Sequence, residues 1–196
     1  MLMHTTAQIK KVIHTEDFNK RIAQTAQTVG SIECDFKQIK HLDVFNEDIE
    51  STGRFFYKKE NKIRLDYHTP VNYRIVINEN KILTDFDGKK NVMNLKSNKI
   101  MKELQGMLMA CMSGNLSRMS NYKPEIYEDT GYYLVKVTPI DKNLQTYISR
   151  FEINLLKKDM SVSKLRIYES QTNYTDYIFS NQQFNTVIDD SQFAVN

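Results

Sequence analysis

Tyr73-Arg74-Ile75-Val76-Ile77-Asn78-Glu79-Asn80-Lys81-Ile82-Leu83-Thr84-Asp85-Phe86 reads as a complete β-hairpin. Two β-branched, apolar runs flank the polar tetrad Asn78 to Lys81, and a two-residue loop at Glu79-Asn80 sets the register. That register places Arg74 opposite Asp85 and Tyr73 opposite Phe86. Tyr73, Ile75, Ile77, Ile82 and Phe86 then form one apolar strip. A hairpin with such a strip is a unit of an antiparallel sheet that covers something on one face.

The same grammar extends upstream. Ile63, Leu65 and Tyr67 alternate with Arg64 and Asp66 until Pro70 stops the strand. Gly53 opens a strand from Arg54 to Lys58, which turns at Lys59-Glu60-Asn61-Lys62. Ile32, Cys34 and Phe36 alternate with Glu33, Asp35 and Lys37. Before them, Thr15 to Val29 reads as an amphipathic helix, with Phe18, Ile22, Ala26 and Val29 on one face and Gly30 after its end. Downstream, strands are expected at Tyr132–Val137, Ile148–Leu155, Ser163–Tyr168 and Tyr174–Ser180. The hairpin spacing makes the sheet antiparallel.

One segment breaks the β pattern. Six of the nine methionines fall between Met93 and Met119. A helix is expected from a cap at Ser97 or Asn98 to about Met112, with Ile100, Met101, Leu104, Leu108, Cys111 and Met112 on a broad apolar face and Gly106 weakening its interior. A shorter turn follows around Leu116 to Met119. Flexible, polarizable methionine makes an adaptable apolar surface. The segment is either a methionine-tolerant core helix or a soft cover over an apolar ligand.

Composition excludes several functions. The net charge of +3, from 27 basic and 24 acidic residues, is too scattered for a nucleic-acid reader. No run reaches the length of a membrane span. The four histidines stand apart, and the two cysteines, Cys34 and Cys111, lack metal-ligand spacing. Both are expected to be free thiols. Glu47, Asp48 and Glu50 read as a solvated loop rather than a cation site. No nucleophile elbow, phosphate loop or zinc-protease motif is present, so no enzyme and no metal or cofactor is expected. Residues 1–14 read as a disordered start or the remnant of a signal peptide, and residues 15–196 as one domain.

The order of these motifs resembles the LolA-type periplasmic carriers of outer-membrane lipoproteins. The likeness rests on Ser31-Ile32-Glu33-Cys34-Asp35-Phe36-Lys37-Gln38 with its F-x-Q, on Gly53-Arg54-Phe55-Phe56-Tyr57-Lys58, and on Arg64-Leu65-Asp66-Tyr67-His68-Thr69-Pro70. The strand and turn at Asn80-Lys81 with Ile82 to Asp87, then Phe151-Glu152-Ile153-Asn154, the turn near Asp159-Met160 and Asp189-Asp190-Ser191-Gln192-Phe193 continue it. The resemblance runs from about Thr15 to Ala194.

It implies a mainly β fold of the LolA/LppX type: a strongly curved, unclosed antiparallel β-barrel, or half-barrel, with a helical lid. It also implies a monomeric periplasmic chaperone that moves acylated lipoproteins from inner to outer membrane. Cargo would come from an inner-membrane lipoprotein-releasing ABC transporter and pass to an unidentified outer-membrane acceptor. The ligand-facing residues would be Phe36, Phe56, Ile63, Leu65, Tyr67, Tyr73, Ile75, Ile77 and Phe86, with Met101, Leu104, Leu108 and Met112 from the lid. Many carriers hold the lid shut with an Arg-Pro after the second strand. Lys59 and Glu60 stand there in this chain, so the latch candidate is Lys59, a single point charge rather than a planar fork of donors.

The physical task fits such a cover. Three acyl chains hold on the order of 45 methylenes, and exposing them to water would cost roughly 30 kcal/mol or more at about 0.8 kcal/mol each. A lipid-sensing or envelope-stress binding protein, or a carrier of another lipid, could use the same cavity. A protein-interaction module working through a sheet edge would instead pack the methionine helix as ordinary core.

Overall fold

The 73–86 hairpin forms in the expected register, with Tyr73 facing Phe86 and Arg74 facing Asp85. It belongs to a computed structural model that describes residues 9–45, 47–59, 61–97, 102, 103, 105–107, 109, 110 and 121–195. The strands are β1 (Lys10–Lys11), β2 (Ser31–Leu42), β3 (Glu47–Lys58), β4 (Lys62–Thr69), β5 (Tyr73–Asn78), β6 (Lys81–Phe86) and β7 (Lys89–Asn94), then β8 (Tyr122–Glu128), β9 (Tyr132–Pro139), β10 (Arg150–Leu156), β11 (Val162–Tyr168) and β12 (Tyr174–Phe184). The helix α1 (Glu16–Thr28) and a short helix, Lys142–Gln145, accompany them. One antiparallel sheet joins these twelve strands in the order β1-β8-β9-β10-β11-β12-β2-β3-β4-β5-β6-β7. It does not close: among the described residues, no strand pairs β1 with β7.

The sheet is strongly curled. β8 and β5 are eight places apart in the strand order, which is about 38 Å in a flat sheet. Yet Tyr122 of β8 donates a hydrogen bond to Glu103, and Gln105, two residues on, donates to the Glu79 carbonyl in the β5–β6 turn. Two residues span about 7 Å. The two ends of the sheet must therefore approach each other.

Curling gives each strand a concave and a convex side. The concave set collects in one buried cluster, including Phe36, Phe55, Ile63, Leu65, Ile77 and Ile82, together with Val135, Phe151, Ile153 and Leu165. A smaller cluster on the convex side holds Phe56, Val76 and Leu83 against Ile188 and Phe193 of the C-terminal segment. Polar groups pin that segment. Lys58 and Lys62 reach Asp190 at 2.7 and 3.0 Å, Arg64 donates to the Gln192 carbonyl, and Asn78 donates to that of Phe193.

Several expectations need correction. β7 occupies residues expected to lead into the methionine helix, so Met93 lies on a strand. The turn before it, Asp87-Gly88, has φ of 50° and 78°. Two left-handed residues are what a two-residue hairpin of this twist requires. Glu47, Asp48 and Glu50 belong to β3 rather than a loop; Asp48 pairs with His41 at 2.8 Å and Glu50 with Lys37 at 2.7 Å. β1 and β8 were not anticipated. The C-terminal strands and α1 lie where they were expected, apart from small differences at their ends.

Candidate functional site

Gly53 makes the concave face possible where β2, β3 and β4 meet. A Cβ at Gly53 would lie 2.0 Å from the Asp66 carbonyl oxygen and 2.8 Å from the Phe36 ring. Without one, Phe36 on β2 meets Tyr67 on β4 edge to face, with centroids 5.0 Å apart. From that contact an aromatic belt extends both ways. Tyr67 leads to Tyr73 at 5.9 Å and then to Phe86 at 6.4 Å. Phe36 leads to Tyr177 at 6.1 Å, and Tyr177 stacks on Phe179, which meets Phe55 at 5.5 Å. Such ring pairs add stabilisation beyond the area they bury.

Accessibility changes along this trough. Ile63, Leu65 and Ile77 are buried, Tyr67, Tyr73 and Ile75 are half-buried, and Phe86 is 51% exposed. A polar cleft of about 260 Å³ lies at the rim of β4, β5 and β6, where Tyr67 and Tyr73 meet Asp66, Arg74, Asp85 and Asp87. Phe56 is a correction. It points to the convex side, against Ile188 and Phe193, because it alternates with Phe55 and Tyr57 along β3. It cannot line the trough.

Two helical elements cover the concave side. α1 buries Phe18 and Ile22, and Phe18 packs edge to face on Tyr133 of β9 at 5.1 Å. Its C-terminal end is held by Lys59, whose Nζ donates to the Gln27 carbonyl at 3.0 Å while its backbone N–H donates to the Gly30 carbonyl. A cation at that end also complements the helix dipole. Lys59 thus holds α1; among the described residues it makes no bond to the 102–110 segment.

The described residues between 102 and 110 are helical, and they bridge the seam through the Glu103 and Gln105 bonds. Met107 and Ala110 are buried in the concave cluster. Met101, Leu104, Leu108, Cys111 and Met112 lie outside the described residues, as do the helix cap at Asn98 and the turn at Leu116 to Met119.

The titratable groups of the trough are held in their neutral, protonated forms. Burial, with Tyr177 nearby, pushes the Tyr67 hydroxyl well above the usual phenol range, and burial does the same to Tyr177. Both remain protonated donors. Cys34 is free, and burial pushes its thiol up to about 12, which leaves it inert at neutral pH. Among the described residues no three His, Cys, Asp or Glu side chains converge on a metal position. No helix among them is long and apolar enough to cross a membrane.

Residues 27–196 match the family model described as outer membrane lipoprotein carrier protein LolA. The chain belongs to this family. No curated protein matches the sequence. Among solved structures, it is similar to an uncharacterized conserved protein from Thermus thermophilus, with a TM-score of 0.54, 9% identity, and 92% and 93% of the two chains covered. It is similar to a DUF1329 family protein from Desulfovibrio piger, with a TM-score of 0.51, 11% identity, and 91% and 95% covered. It is also similar to the MucA/MucB complex of Pseudomonas aeruginosa, with a TM-score of 0.51 and 14% identity, over 92% of this chain and 60% of that one. At these identities the likeness is one of fold.

The sequence reading overlooked Gln38, Tyr177 and Phe179 on the concave face. Gln38 stood in the F-x-Q motif and Tyr177 in an anticipated strand. Their face becomes legible only once β12 is known to pair with β2, which sets Tyr177 opposite Gln38 and Phe179 opposite Phe36.

Proposed function

We propose that this chain is a periplasmic carrier that takes the acyl chains of lipoproteins into its concave trough and conveys them from inner to outer membrane. Cargo enters from an inner-membrane lipoprotein-releasing ABC transporter and leaves to an outer-membrane acceptor. The protein binds and releases; it catalyses nothing. The proposed wall residues are Phe36, Ile63, Leu65, Tyr67, Tyr73, Ile75, Ile77 and Phe86, with Met101, Leu104, Leu108 and Met112 as proposed further ligand contacts.

One observation carries this reading. The wall is a continuous apolar and aromatic surface on a strongly hydrogen-bonded sheet, whereas its seam is bridged by a helical segment through the side chains of Glu103 and Gln105. Net, a side-chain hydrogen bond is worth about 1 kcal/mol. Such a cover can leave the wall without breaking the sheet, and acyl chains can replace Met107 and Ala110 against it. Adaptable methionine packing keeps the exchange reversible.

Native mass spectrometry of the protein purified from a periplasm should show co-purified lipid or lipoprotein. Loaded with a tripalmitoylated cysteine peptide, it should also pass that peptide to acceptor liposomes. A protein that neither co-purifies with lipid nor binds the peptide contradicts the reading. One that binds the peptide and retains it against excess liposomes is a lipid sensor instead.

A further inference from the structure

The concave face changes chemistry at one level across four neighbouring strands. On β2 the inward residues run Ile32, Cys34, Phe36 and then Gln38 and Lys40. On β3 the apolar Tyr57 and Phe55 give way to Gly53 and Ser51, and on β4 Ile63 and Leu65 give way to Tyr67. On β12 Phe179 gives way to Tyr177 and Thr175. Register puts these changes side by side: Gln38 faces both Ser51 and Tyr177, and Phe36 faces both Gly53 and Phe179. Beyond this level lie charges, with Lys40 and Glu169 3.6 Å apart.

The polar groups at the step form a small constellation. The Tyr67 hydroxyl donates to Gln38 Oε1 at 2.7 Å, and the Tyr177 hydroxyl lies 3.4 Å from that of Tyr67. With the Tyr67 proton committed to Gln38, only Tyr177 can donate across the 3.4 Å contact, which is long for an O–H···O bond, so its proton can turn to a better-placed acceptor. The Gln38 amide nitrogen makes no hydrogen bond among the described residues. All three side chains are half-buried. A ligand that enters beside Phe36 and Leu65 displaces solvent from these donors, so it must itself accept from them or leave them unsatisfied.

We propose that Gln38 and Tyr177 form a docking point for the carbonyl oxygens that join acyl chains to their polar anchor, that is, ester or amide groups of the ligand. This rests on the acyl-carrier reading above and adds an orientation to it. The carbonyls sit at the Gln38 level, the chains run past Phe36 and Leu65 toward Ile32 and Ile63, and the polar anchor faces Lys40 and Glu169. Donors at this level favour acyl over plain alkyl ligands, because an ether offers a poorer acceptor in the same space.

The test compares dioctanoylglycerol with 1,2-di-O-octylglycerol, which has chains of the same carbon number and the same glycerol but no carbonyls. Affinities are measured by displacement of 1-N-phenylnaphthylamine. Wild-type protein should bind the ester about 5- to 10-fold more tightly, the size expected of one or two net hydrogen bonds. Gln38→Leu and Tyr177→Phe should each shrink that ratio, and the double variant should bring it near one. Thermal unfolding verifies that each variant is folded; if Gln38→Leu is not, because it strips Tyr67 of its acceptor, Tyr177→Phe decides alone. Equal affinities of wild type for ester and ether, or a ratio unchanged in a folded variant, overturn the docking point and leave the carrier reading intact. A wild-type protein that binds neither compound nor the naphthylamine overturns both.

Discussion

Gly53 and Asp176 show how single residues hold the trough in shape from its two sides. Gly53→Ala must move either the Asp66 carbonyl or the Phe36 ring, since the added carbon would fall 2.0 and 2.8 Å from them. Overpacking of this kind typically costs about 1–3 kcal/mol. Urea unfolding should show a loss of about 2 kcal/mol or more, although alanine is the smallest possible addition. Asp176 lies on the convex side of β12, next to Tyr177. Its carboxylate receives a bidentate pair from Arg166 at 2.6 and 2.7 Å and Lys164 at 2.9 Å. Burial pushes this carboxyl up, but the hydrogen bonds and charges of Arg166 and Lys164 outweigh it and hold it below the ordinary carboxylate range. A depressed value stabilises the fold above the unfolded-state value of about 3.9 and loses that contribution as pH falls through the lower folded value. Asp176→Asn should therefore destabilise the protein at pH 7, by on the order of 3 kcal/mol. The gap from wild type should narrow as pH drops below about 4; a gap independent of pH would refute the charge pairing. Cys34 offers a third test at this scale. It should resist iodoacetamide at pH 8 in the native state and react on unfolding, as peptide mass mapping would show.

Among the elements, the 102–110 segment does the covering and carries its own weak point. Gly106 is helical, exposed, and has nothing within 4 Å of where a Cβ would go. Gly106→Ala should thus stabilise that helix by about 0.5–1 kcal/mol without a clash. Hydrogen exchange of its amides should slow, and so should uptake of 1-N-phenylnaphthylamine, because the cover opens less often. Slower exchange with unchanged uptake would mean that the segment does not gate the trough. How far such elements were legible in sequence depends on what pairs with what. The 73–86 hairpin was readable in full because its alternation and two-residue turn are local. β7 was not: Lys89 to Asn94 has only Val92 and Met93 as apolar residues, one on each face, although Asp87-Gly88 announced a turn. Phe56 was put on the wrong side because Phe55-Phe56-Tyr57 is apolar without a break. A strand buried on both faces loses its alternation, and the convex cover, Ile188 and Phe193, comes from more than 130 residues downstream. The aromatic belt was half visible. Tyr67, Tyr73 and Phe86 could be read from consecutive hairpins, whereas Tyr177 and Phe179 join it only through the β12–β2 pairing.

At the scale of the molecule, one sheet has two buried sides with different purposes. The convex side is covered at β3, β5 and β6 by the chain's own C-terminal segment, which side chains including Lys58, Lys62, Arg64 and Asn78 hold in place. The concave side is closed by helices, and its far end leaves Tyr67 and Tyr73 half-buried and Phe86 exposed. Family membership and this asymmetry support the proposed placement of acyl chains in the concave trough. Photo-crosslinking tests that placement most directly, using a fatty acid with a diazirine at mid-chain, followed by peptide mass mapping and competition with unlabelled acid. Crosslinks should fall on inward residues of β2, β4, β5 and β12, such as Phe36, Leu65, Tyr67, Ile75 and Phe179, and unlabelled acid should suppress them. Competed crosslinks confined to Phe56, Val76, Leu83 or residues 185–195 would put the ligand on the convex side and contradict the account.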